Sequence, residues 1–65
     1  MSFIAYLYNE AGSTPYMEVL GADTMSKAKA QTERLLSEHL RATYAELRQD
    51  DALVAVITRQ APAAA

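Results

Sequence analysis

The sequence predicts an α+β domain: a three-stranded antiparallel sheet with one long helix on one face, in the order β-β-α-β. Three observations predict it. Two short runs of aromatic and β-favouring residues flank a cluster of turn formers near the N-terminus. No Gly or Pro occurs from Met25 to Gln49, where good helix formers dominate. A last apolar run, "ALVAVIT", precedes an alanine-rich end.

Residues 2–8, "SFIAYLY", read as the first strand. "NEAGSTP" collects Asn9, Gly12, Ser13 and Pro15, which turn the chain. The connection is short enough for an antiparallel hairpin, with a loop longer than the tightest two-residue type. Residues 16–22, "YMEVLGA", form the second strand. Asp23 or Thr24 then supplies an N-cap. The helix is expected from Met25 to about Gln49. Met25, Leu36, Leu40, Thr43 and Leu47 share one side of it, flanked by Ala28, Thr32 and His39. "QDD" closes it, although acids at a C-terminus oppose the macrodipole. Residues 52–58 are the third strand, expected beside the first, which leaves the second on an edge. Residues 1–60 form one domain and 61–65 a frayed tail.

A chain of 65 residues is one domain. Domains of this size bury only about 60% of their unfolded surface. They gain stability from disulfides, a metal or oligomerisation. Cysteine is absent and there is one histidine, so oligomerisation remains, and no cofactor site is expected. A hydrophobic content of 51% argues for a folded chain. The net charge of -2 argues against direct nucleic-acid binding, where phosphate neutralisation supplies most non-specific affinity. No apolar run approaches the roughly 20 residues of a membrane span. The N-terminus lacks a basic region and a cleavage site, so the expected compartment is the cytoplasm.

Lys27, Arg34, Arg41 and Arg48 recur every seventh position, close to two helical turns. On a continuous helix they form one basic stripe. Met25, Leu36 and Leu47 point the other way, and acids are interleaved with the stripe. It therefore reads as a solvated back rather than a phosphate grip. His39 lacks the oriented partner that catalysis needs, and no Ser or Thr lies in a nucleophile motif. Tyr6 and Tyr8 share a strand face that could stack bases. With Glu10 and Glu18 nearby, they read as packing residues.

Two features exceed a plain globular reading. Strands one and three are apolar on both faces: Phe3, Ala5 and Leu7 against Ile4, Tyr6 and Tyr8, and Leu53, Ala55 and Ile57 against Val54 and Val56. One helix covers one face only, whereas a sheet with a wet face alternates with polar residues. The expected helix is also too long, about 37 Å against about 23 Å for a seven-residue strand. Either it breaks near residues 39–43, or a second copy covers Leu40, Tyr44 and Leu47. A homodimer through those three residues is the expectation. Glu10, Glu18, Asp50 and Asp51, with Tyr16 as an aromatic anchor, are the expected contacts to a host protein with a basic surface.

The stretch "VLGADTMSKAKAQTERLL" resembles the strand-to-helix passage of short bacterial and phage β-β-α-β proteins. There a strand runs through Ala-Asp-Thr/Ser into a helix with alanine one turn in, here Ala22, Asp23, Thr24 and Ala28. Lys27 stands where a capping box places Glu or Gln. Size, acidity and lack of cysteine are similar to those of phage-encoded inhibitors such as the anti-CRISPR proteins. The resemblance implies a non-enzymatic protein-binding module that inhibits by covering a surface of a host protein. No functional residue transfers from it. A nucleic-acid-associated accessory protein and a structural subunit of a larger complex stay open as alternatives.

Overall fold

Residues 44–49 alternate Ala45 and Leu47, both buried, against Tyr44, Glu46 and Arg48, and this alternation sets which side of the sheet meets the helix. In the computed structural model, which describes residues 2–13 and 16–59, β1 spans Phe3–Tyr8, β2 Tyr16–Leu20, α1 Met25–Glu38, β3 Tyr44–Gln49 and β4 Ala52–Thr58. The fold is α+β. The four strands form one sheet in the order β2-β1-β3-β4, with every pairing antiparallel. The expected hairpin β1–β2, the helix start at Met25 and the strand 52–58 are all present, and β2 lies on an edge. The expected tail, 61–65, lies outside the described residues.

The long helix is corrected. It ends at Glu38, and residues 44–49, read as its C-terminal turns, form a fourth strand. That strand, not 52–58, pairs beside β1, and β4 takes the outer edge. The physical reason is a competition between periods. "YAELRQ" is compatible with a helix by propensity, but alternates Tyr44, Glu46 and Arg48 against Ala45, Leu47 and Gln49. The second set fills the sheet centre, with Ala45 and Leu47 wholly buried. Helix propensity is worth tenths of a kcal/mol per residue, whereas burying a leucine is worth about 2 kcal/mol. A helix of 14 residues is about 21 Å long, a match for six-residue strands of about 20 Å. The length mismatch was therefore real and is resolved within one chain.

The basic stripe dissolves with the helix. Lys27 and Arg34 stay on α1 and are exposed, Arg41 sits in the turn after it, and Arg48 belongs to β3.

The core lies between α1 and one face of the sheet. Phe3, Ala5 and Leu7 of β1, Leu20 of β2, and Ala45 and Leu47 of β3 meet Ala28, Thr32, Leu35 and Leu36 of α1. Alanines at the crossing let the helix backbone come close. Thr32 is fully buried and donates its hydroxyl to the Ala28 carbonyl at 2.8 Å, so no polar atom is stranded there.

Both helix ends are tied. Thr24 is the N-cap, its hydroxyl accepting from the Lys27 N–H at 3.2 Å. At the C-terminus the Arg59 guanidinium, just past β4, donates to the carbonyls of Leu36, His39 and Ala42. A cation there satisfies carbonyls that have no partner within the helix and complements its dipole.

Candidate functional site

The face of the sheet away from α1 has no cover among the described residues. Two rows of paired residues cross its middle. One runs Val19, Ile4, Arg48, Leu53, and the next Met17, Tyr6, Glu46, Val56. Tyr8, Tyr44 and Thr58 extend it at one end. Met17, Val19, Leu53 and Val56 are 53%, 59%, 50% and 54% exposed, large values for apolar side chains on a sheet.

A bulge builds one side of this face. Leu47 pairs with Ala55 but Arg48 pairs with Leu53, so Val54 is an extra residue in β4. Strict alternation puts Leu53 with Ala55 and Ile57. The bulge instead leaves Leu53 on the open face with Val56, while Val54, Ala55 and Ile57 pack on the core. The expected grouping is corrected at this residue.

The middle of the open face is polar and internally matched. Arg48 donates through Nε at 3.3 Å and Nη2 at 3.0 Å to Glu46 Oε1, which also accepts from the Tyr8 hydroxyl at 3.0 Å. The Arg48 guanidinium lies 5.8 Å from the centre of the Tyr6 ring. Tyr8 and Tyr44 stack with ring centres 5.0 Å apart. Hydrogen bonding to Arg48, joined by Tyr8, holds the Glu46 carboxyl below its ordinary range, against a smaller opposing effect of burial. The same bond raises Arg48 above its ordinary range. The pair therefore stays fully charged at neutral pH.

The expected partner contacts do not gather in one place. Glu10 is exposed in the β1–β2 loop. Glu18 and Tyr16 lie on β2, in register with Ala5 and Leu7 on the helix side. The Tyr16 hydroxyl donates to Glu18 Oε1 at 2.5 Å, and this bond is the main cause of a phenol held above its usual range. The Tyr16 ring stacks on His39 at 4.2 Å, so it anchors the end of α1. Asp50 and Asp51 form the two-residue β3–β4 turn, both with positive φ, 51° and 68°. They close a hairpin rather than a helix, which removes the conflict with the macrodipole.

The three expected dimer residues separate as well. Leu47 is 0% exposed inside its own chain's core, Tyr44 is half-buried against Tyr8, and Leu40 is 82% exposed in the turn after α1. Leu40 borders an open depression of about 390 Å³ with Tyr16, Glu38, His39, Arg41 and Ala42. The surplus helix that grouped the three does not exist.

Sequence reasoning named the second apolar face but missed Met17, Val19, Glu46 and Arg48 as parts of it. The alternation of Tyr44, Glu46 and Arg48 was the signal that could have found them. Among the described residues no group of three His, Cys, Asp or Glu could hold a metal ion, and no helix is long and apolar enough to cross a membrane. Comparison with family models, curated proteins and solved structures finds no match for the chain.

Proposed function

We propose that this chain is a non-enzymatic protein-binding module, an inhibitor-like protein that acts by contact rather than by chemistry. One observation carries the reading: a sheet face bearing four large aliphatic side chains, each at least half exposed, around a neutralised ion pair. Large apolar side chains left exposed together on one sheet face mark an interaction site. Glu46 neutralises Arg48, so the tyrosines lack the cationic surround of a base-stacking platform. The acids Glu10, Asp50 and Asp51 lie off this face, in the loops, where they steer a basic partner.

The test is affinity capture from the native host with the wild-type chain and a Val19→Glu/Val56→Glu variant. A protein retained by the first and lost by the second supports the reading. Equal retention on both, with the variant folded, excludes the open face as the contact to the captured protein.

A further inference from the structure

We infer that the occupant of the open sheet face is a second copy of this chain, seated face to face about a two-fold axis that runs across the strands at the level of Leu47. The inference rests on the reading that this face is a protein contact, and it names the partner.

Self-complementarity carries it. An isologous interface must match its own reversed image. A two-fold axis lying in the interface across the strands reverses the strand direction and keeps the order of the strands. Placed at Leu47, between Glu46 and Arg48, it lays the row of Glu46 over the row of Arg48 of the other copy. Met17 then meets Val19, Tyr6 meets Ile4, Glu46 meets Arg48 and Val56 meets Leu53. Every aliphatic position finds an apolar one, and the only two charges in these rows meet opposite charges. A patch of one sign, or one with its charge at a corner, would fail this reversal.

Size and need agree with it. Four strands about 4.8 Å apart and about 20 Å long present a plane of roughly 400 Å². Side-chain relief raises the accessible area above that, which places the dimer at the small end of specific interfaces. It is therefore expected to form at micromolar rather than nanomolar concentration. The chain has no cysteine and, among the described residues, no metal-binding cluster, so association is the remaining support for a domain this small. Glu10, in the β1–β2 loop, stays outside such a dimer and available to a further partner, while Asp50 comes opposite Tyr44 of the other copy.

The experiment is a charge-reversal mixture followed by light scattering. At tens of micromolar the wild type should have about twice the mass of one 7.1 kDa chain. The variant Glu46→Arg carries two cations at the centre of the face, and Arg48→Glu two anions. Each alone should fall to monomer. Mixed in equal amounts, they should form a heterodimer, a recovery that damage to the monomer fold cannot produce. Should either variant fail to fold, Val19→Lys, on an exposed edge position, should still weaken the wild-type dimer at least tenfold. A wild-type chain that stays monomeric at high micromolar concentration overturns the inference. So does a dimer that survives every one of these variants. A wild-type monomer that captures a host protein through Val19 and Val56 also overturns it, while leaving the reading of the face as a protein contact in place.

Discussion

The two faces of the sheet are made by the same strands and obey different rules. The covered face has a middle of small and medium side chains, Ala5, Leu7, Ala45 and Leu47, all at zero exposure, with Phe3 beside them. The open face carries tyrosines, an ion pair and half-exposed aliphatics. On the first, shape decides, because alanines set how near α1 can come. On the second, charge placement and relief decide, because no other element among the described residues covers it. One face therefore specifies the fold, and the other is available to specify a partner.

That contrast is broken most directly by truncation. Leu47→Ala removes a fully buried side chain from the sheet centre and should cost about 2–5 kcal/mol, enough to unfold much of a 65-residue chain. Val56→Ala, on the neighbouring strand but on the open face, should cost under about 1 kcal/mol in the dilute monomer. Urea denaturation of both compares the faces. Equal losses would mean that the open face is packed as tightly as the core.

The second test asks what holds α1 against the covered face. Arg59 donates to three carbonyls at the end of α1 and in the turn after it. Arg59→Met keeps much of the stem and removes the donors, and should cost about 1–2 kcal/mol. Amide exchange should speed up around Leu36–Ala42 and stay unchanged in β1. Unchanged exchange in that turn would show that packing of Leu35 and Leu36 suffices.

The third concerns the open face and pH. The Glu46 carboxyl is held below its ordinary range, chiefly by Arg48. Its ionised form therefore favours the folded state at pH values above the unfolded-state value, about 4.3. That contribution is lost as the pH falls through the lower folded value. Glu46→Gln should be less stable than wild type near neutrality, and the gap should close in acid. Thermal melts from neutral to acid pH measure it. A gap that stays constant from neutral to acid pH would mean that the pair is broken in solution.

How far the sequence revealed this arrangement depended on which signal each residue carried. β1, β2 and β4 were legible because aromatic and β-branched residues lie between turn formers. The start of α1 was legible because Thr24 precedes a run without Gly or Pro. β3 was hidden. Ala45, Glu46, Leu47 and Arg48 are good helix formers that continue a helical pattern without a breaker, and the cation that ties the helix end is Arg59, far along the chain. The surplus of apolar residues on the sheet was legible as a count of faces. Its geography was not, because the bulge at Val54 moves Leu53 to the other side. The open warnings were the excess length of the expected helix over the strands and "QDD", two acids where a helix end disfavours them.

Those acids give the smallest effect and the sharpest probe of register. Asp50 and Asp51 both have positive φ in a two-residue hairpin turn, the conformation that Asn-Gly adopts best. An L-residue other than Gly gives up roughly 1 kcal/mol or more there, and two adjacent carboxylates add repulsion. Glycine returns part of that gain, because it loses more backbone freedom on folding. Asp50→Asn with Asp51→Gly should therefore stabilise the chain by about 0.5–1 kcal/mol, a rise in Tm of roughly 2–8 °C for a domain this small. Asp50→Val should act in the opposite direction, since a β-branched side chain fits positive φ worst. The turn also fixes which residues of β4 oppose Glu46 and Arg48, so a better turn should leave the open face and its association unchanged. A loss of stability on Asp51→Gly would mean that the turn is not of this type, and that the placement of Leu53 and Val56 beside the ion pair has to be redrawn.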